Sequence, residues 1–146
     1  ACRLNAYSDI AHEKVAPWLF ERFAKDVQFY DYTKRAPTVR KPHANYHLTF
    51  SAHERTQSHH VANYLRNGHN VAVVGTRRKG EPLPVSIYPI IDGDLTDARW
   101  TDPTGVIVHL SRKGRALTAD NPFVRDDLLG LANAVTVLEI SPRRAS

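Results

Sequence analysis

Four short apolar runs in this sequence each give way at once to polar or cationic residues. Val27–Tyr32 precedes Lys34-Arg35, and Tyr46–Phe50 precedes Ser51, His53 and Arg55. Val71–Val74 precedes Arg77-Arg78-Lys79, and Val106–Leu110 precedes Arg112-Lys113. Runs of this length, rich in β-branched and aromatic residues, read as strands, and helical patterns follow some of them. Repeated strand-then-helix units imply mostly parallel strands. Polar residues gathered after such strands form the face on which α/β proteins hold ligands. The pattern predicts one α/β domain over residues 1–146, partly like a (β/α) barrel, with its polar strand ends meeting at a common mouth. Ala1–Asn5 reads as a further short strand ahead of Ser8-Asp9, with nothing before it to cover it. The expectation is therefore the later part of a larger α/β fold.

The intervening stretches supply the helices and turns. Pro17 suits the first position of a helix, where its missing N–H is no loss. Leu19, Phe20, Phe23 and Ala24 then fall on one apolar face. Ala36-Pro37 and Lys41-Pro42 break the chain into a long basic loop. Val61, Ala62 and Leu65 form the stripe of another helix, which Asn67-Gly68 ends. Val85–Ile91 is a short strand in which Pro89 argues against a central position. A helix is expected from Pro122 to Ala134, with Val124, Leu128, Leu129 and Leu131 inward, and a frayed tail from Ser141 to Ser146. Neither a GxGxxG nor a GxxxxGK[ST] pattern occurs, which removes the commonest open-sheet nucleotide folds.

Composition narrows the class of partner. Twenty Lys and Arg against fifteen Asp and Glu leave a net charge of +5, which favours anionic partners such as nucleic acid or a nucleotide. The single cysteine, Cys2, excludes an internal disulfide and any cysteine-built metal centre within these residues. No stretch approaches the roughly 18 apolar residues of a membrane span, so no membrane partner is expected and the host cytoplasm is the expected location. The eight histidines show no established zinc spacing, no metal site is predicted, and no cofactor is indicated.

Several residues then compete between binding and scaffolding. Asn5, Ser8 and Asp9 follow the first strand, where Asn5 and Asp9 face a ligand or where Ser8 and Asp9 cap a helix. Tyr32, Lys34 and Arg35 end the second strand, and Lys plus Arg there form a phosphate clamp or a solvated loop. Ser51 ends the third. Arg77, Arg112 and Lys113, with Arg35, Arg40, Lys41, Arg78, Lys79 and Arg115, would make a positive rim suited to a phosphate backbone. Tyr30, Tyr32, Tyr46 and Trp100 are stacking surfaces or core. Asp92, with Asp94, Asp97 and Asp102 near, is a cation ligand, an acid or base, or a turn residue. Were the chain an enzyme, Asp9 and Asp92 would be its acid–base pair.

Several segments in order resemble a known family. They are Arg3-Leu4-Asn5 with Ser8-Asp9-Ile10, Phe29–Arg35, Asn45–Ser51, Asn70–Val74, and Asp92–Asp97 continuing through Asp102-Pro103 and Val106 to Arg112-Lys113-Gly114. This order and spacing, over roughly residues 1 to 124, resembles the gene product 88 domain family of bacteriophages and mobile elements. The resemblance implies a phage or mobile-element origin. It also implies that fuller members carry a cysteine-rich N-terminal region similar to the metal-binding parts of radical enzymes. A chain without that region would be a fragment, a regulator, or a subunit completed by a second copy or a separate N-terminal half. Two functions follow as expectations. One is nucleic-acid or nucleotide binding at the strand ends, as part of a nucleic-acid-modifying enzyme. The other is a non-enzymatic interaction protein that pairs through an uncovered sheet edge.

Overall fold

A computed structural model describes residues 1–113 and 121–130. Its strands are β1 (Cys2–Arg3), β2 (Phe29–Thr33), β3 (Tyr46–Ser51), β4 (Asn70–Gly75), β5 (Ile90–Asp92) and β6 (Ile107–Ser111). They form one sheet in the order β1-β2-β3-β4-β6-β5, and every pairing is parallel. Helices α1 (His12–Val15) and α2 (Pro17–Arg22) connect β1 to β2, and α3 (Ser58–Arg66) connects β3 to β4. The expected α/β class with parallel strands is what the chain adopts. The sheet is open, with β1 and β5 as its edges, rather than a closed barrel.

The helices lie on one face because the strands alternate. Phe29 of β2, Tyr46 and Phe50 of β3, Val71 and Val73 of β4, and Ile107 of β6 point the same way, as their register requires. Val61, Tyr64 and Leu65 of α3 pack on Phe50, Val71, Val73 and Ile107. Phe20 of α2 packs edge-on to Phe29 and stacks on Tyr46, with ring centroids 5.1 and 4.7 Å apart. Each fully buried apolar side chain contributes about 1.5–3 kcal/mol of transfer free energy. On the opposite face stand Tyr30 and Tyr32, His47 and Thr49, Ala72, and Val108, and no described α-helix covers them. A strap from residues 93 to 103 crosses that face instead.

Local chemistry explains most element ends. Pro17 opens α2 at its first positions, as expected. The helix stops at Arg22, because the Asn45 side-chain amide donates to the carbonyls of Phe20 and Val27 at 3.2 Å each. Phe23 and Ala24 therefore lie beyond the helix and are exposed, contrary to the expected apolar face. Asn67 caps α3, and Gly68 at φ +78° lets Gly68 and His69 donate to Leu65 and Tyr64. His60 serves the other end of that helix, where its Nδ1 accepts the Gln57 N–H at 3.2 Å. Pro89 directly precedes β5, which is an edge strand, so its missing donor harms no ladder.

One expected element is replaced. Residues 122–130 are not a helix: Val124 bridges Val74 in parallel, and a 3-10 turn follows at Asp126–Leu128. β3 pairs β4 only as far as Ala72, so the free edge beyond it accepts Val124 in β3's place. Arg125 N–H donates to Val74 O at 2.8 Å, while its guanidinium donates to the carbonyls of His53 and Thr56. Those tertiary bonds outweigh the helical pattern, and Leu128 and Leu129 still reach the core. The rest of that expected helix (131–134), Arg115 and the tail from Ser141 lie outside the described residues.

Candidate functional site

Parallel strands put every C-terminal end on one edge of the sheet, and polar residues do collect there. Beyond β1, β2 and β3 they enclose a cavity of about 350 Å³, lined in part by Arg3, Asn5, Asp9, Tyr32, Lys34 and Ser51. Five of the residues singled out in the sequence are thus brought together. Arg3, which the sequence reading did not single out, joins them by stacking its guanidinium over the Tyr32 ring at 5.2 Å. Its signal was its place at the end of β1, opposite Tyr30.

The cavity's walls are held by hydrogen bonds that the sequence does not advertise. The Asp9 carboxylate accepts from Thr33 Oγ1 and from the Lys34 N–H, each at 2.8 Å. Asp9 therefore clips the first loop to the end of β2, and caps no helix. Asn5 is buried, and its Oδ1 accepts from Ser8 Oγ at 2.7 Å and from Ile10 N–H at 3.1 Å. Its backbone N–H and side-chain amide donate to the Asp31 carboxylate at 2.7 and 3.1 Å. Asn5 shapes the loop that faces the cavity. Lys34 is exposed, with Nζ 4.7 Å from the Phe123 ring centroid, and Arg35 beside it is also exposed. Arg3 and Lys34 are the cations that line the cavity, and Arg35 follows Lys34 at its margin in sequence.

The remaining candidates stand elsewhere on the same edge. Segment 121–127 crosses the ends of β2 to β4, through Phe123 on Lys34, Val124 on Val74, and Asp126 accepting from Thr76 N–H at 3.0 Å. It separates the first cavity from a second polar cluster at β4, β5 and β6. There Arg77 is buried and pairs with Asp92 at 2.7 Å. Arg77 Nε also donates to His109 Nδ1 at 3.4 Å, and Nη1 donates to Glu81 O. Burial would raise the Asp92 carboxyl, but the Asp94 N–H and Arg77 outweigh it and hold the group below its usual range. His109 is pushed down first by burial and then by the Arg77 charge, so it sits neutral. The sequence hid this histidine as one polar residue inside an apolar strand.

Two expectations change with this placement. Arg77 and Arg40 do not belong to a solvent-facing positive rim, because both are buried in ion pairs. The rim loses them for a simple reason: a buried guanidinium is tolerated only when paired. Asp9 and Asp92 do not stand together as an acid–base pair, since β3, β4 and β6 lie between β2 and β5. Four strand spacings of ~4.8 Å separate those positions by roughly 19 Å. The common mouth is one edge with two separate polar sites.

Beyond β6, Lys113 Nζ meets Asp94 Oδ1 at 3.0 Å, and the Ser111 N–H donates to Asp94 Oδ2 at 2.8 Å. Arg112 is half-buried, and its Nε has no hydrogen-bond partner among the described residues. Burial raises the Asp94 carboxyl, but the bonds from Ser111 and Lys113 dominate and hold it down to about 2. A carboxyl lowered on folding stabilises the fold above its unfolded pKa and loses that contribution as pH falls through the folded one. The window here runs from about 4 down to about 2, and the contribution at stake is about 2 kcal/mol. In urea titrations across that window, Asp94→Asn should flatten the decline in stability. A slope equal to that of the parent chain would refute the assignment.

A family model described as Gene product 88 matches residues 1–127. No curated protein and no solved structure matches the chain.

Proposed function

The chain belongs to the Gene product 88 family, and from that premise we propose a phage or mobile-element protein that binds a phosphate-bearing ligand, nucleic acid or nucleotide, in the cavity at β1–β3. The observation that carries this reading is the company the cavity keeps. Arg3 and Lys34 line it with positive charge and exposed Arg35 follows in sequence, while Asp9 is engaged in Thr33 and Lys34 bonds. Tyr32 offers an aromatic wall, and Ser51 an adjacent hydroxyl. Cations with one aromatic face at the C-terminal ends of parallel strands suit a phosphate attached to a ring. No acid–base step is assigned to Asp9, because both of its oxygens already accept from the scaffold.

The test removes charge without removing structure. Lys34 and Arg35 are both exposed, and the bonds nearest them run from their backbone N–H groups. A Lys34→Ala plus Arg35→Ala chain should keep its urea midpoint. Its affinity for a labelled single-stranded oligonucleotide should fall about tenfold at low salt, a loss of about 1.4 kcal/mol. The salt slope should also drop by about 1.4, at roughly 0.7 per lost phosphate contact. Equal affinity in both chains would remove the proposal.

A further inference from the structure

The strap over the face opposite the α-helices is built oddly for a permanent cover. Its ends are anchored: Gly93 N–H donates to His109 O at 2.8 Å, Asp94 accepts from Ser111, and Asn70 Nδ2 donates to Pro103 O at 2.8 Å. Between those anchors its hydrogen bonds are internal. Arg99 Nη2 donates to Thr96 O, Thr101 Oγ1 donates to Ala98 O at 2.7 Å, and Asp102 N–H donates to Arg99 O at 3.3 Å. Among the described residues, no hydrogen bond joins 95–102 to the sheet beneath. Trp100 rests against Tyr30 at 5.1 Å between centroids, which leaves the strap a self-contained plug.

Within the plug and on the sheet beneath it, buried polar atoms are left unpaired. Arg99 and Thr49 are fully buried, yet Arg99 Nε and Nη1 and Thr49 Oγ1 have no hydrogen-bond partner among the described residues. His47 Nε2 is buried and unpaired as well, and burial followed by the Arg99 charge keeps that imidazole neutral. Asp102 Oδ2 lies 3.4 Å from Arg99 Nη1 without hydrogen-bond alignment. Natural structures leave few such groups unsatisfied, and those they keep commonly serve a site. The register places them in two rungs, Tyr30 beside His47 and Tyr32 beside Thr49. Tyr32 also lines the cavity at the strand ends, so this cluster and that cavity adjoin.

Resting on the reading above, we propose that the ligand is a nucleoside monophosphate whose base enters beneath the strap. Its phosphate lies by Arg3, Lys34 and Arg35. The base stacks on Tyr32 and Tyr30 in place of the Arg3 guanidinium. Its alternating polar edge takes up the free Arg99, Thr49 and His47 atoms, which offer fixed donors, a two-way hydroxyl and a ring nitrogen. The strap swings about its anchors at Asp94 and Pro103, carrying Trp100 away from Tyr30. A polymer threaded along the edge would not reach this position, since the strap closes over it.

The experiment uses the full chain with Trp18→Phe, which leaves Trp100 as its one tryptophan. Adenosine 5′-monophosphate, ribose 5-phosphate and a single-stranded oligonucleotide are titrated separately. The nucleotide should bind at least tenfold more tightly than ribose 5-phosphate and shift Trp100 emission, while ribose 5-phosphate leaves the emission unchanged. Thr49→Val, an isosteric change at a hydroxyl with no partner, should keep the fold and lower nucleotide affinity to the ribose 5-phosphate value. Equal binding of both small ligands with a silent Trp100 would overturn the base site and leave the phosphate site standing. An oligonucleotide preferred over the nucleotide, again with a silent Trp100, would overturn it too. Binding of none of the three would overturn both readings.

Discussion

Arg40→Ala should lower the unfolding free energy by about 3–5 kcal/mol, because it leaves the Glu13 carboxylate buried without its partner. The two side chains are 2% and 3% exposed, and Arg40 donates to both Glu13 oxygens. Its third nitrogen donates to Thr33 Oγ1 at 3.0 Å, tying α1 and the β2–β3 loop to the end of β2. Burial raises the Glu13 carboxyl, yet the Arg40 bonds prevail and keep it charged. A domain of this size has about 5–15 kcal/mol of stability in all, so the variant stands near the limit of folding. Arg40→Lys should recover little, since a lysine cannot reproduce the two-pronged contact. Arg40→Met with Glu13→Leu should recover most of the loss, because no buried charge remains. Urea unfolding followed by circular dichroism reads all three. An Arg40→Ala midpoint close to the parent's would show that water reaches Glu13 and that the pair is not buried.

Asp31→Ala should cost about 4–6 kcal/mol and abolish ligand binding together. The carboxylate is fully buried and accepts from Asn5 N–H, Asn5 Nδ2 and Tyr46 Oη, the last at 2.7 Å. Hydrogen bonds to a charged acceptor contribute about 1.5–3 kcal/mol each, and truncation strands their donors in the core. Burial and the Asp31 bond together raise the Tyr46 hydroxyl pKa, so it remains a donor throughout the neutral range. Asn5 then loses its anchor, and with it the Ser8 and Ile10 contacts that shape the cavity wall. Tyr46→Phe is the control. It removes one donor from the same carboxylate, should cost about 2 kcal/mol, and should leave binding intact. Melting curves paired with oligonucleotide titrations separate the two. If Asp31→Ala melts like the parent while binding persists, the cavity owes nothing to this hub.

The strands were legible because their cues are local. Phe29–Thr33 alternates buried and half-buried residues, and Val71–Val74 is an apolar run covered on both sides. Pro17, Asn67-Gly68 and Pro89 each mark a boundary through a backbone property of their own. The helix expected from Pro122 was misread for the opposite reason. Its apolar spacing suits a helix, but the open edge of β4 and the carbonyls of His53 and Thr56 offered Val124 and Arg125 better partners. Asn5, Asp9, Tyr32, Lys34 and Ser51 stand around one cavity, since parallel strands carry their C-terminal residues to one edge. Arg99, Thr49 and His47 gave no hint, because nothing in their neighbourhood along the chain says that a strap will bury them.

The order of apolar and polar residues determined that this protein is a parallel α/β sheet with its reactive-looking groups on one side. Period and turn chemistry act over a few residues, so they survive in the linear text. Only the tertiary structure decided which charges are free. Arg40 meets a carboxylate 27 positions away, and Arg77 meets Asp92 across β6, while Lys34 and Arg35 meet solvent. An ion's role depends on its dielectric surroundings and its nearest opposite charge, and both are set by residues distant along the chain.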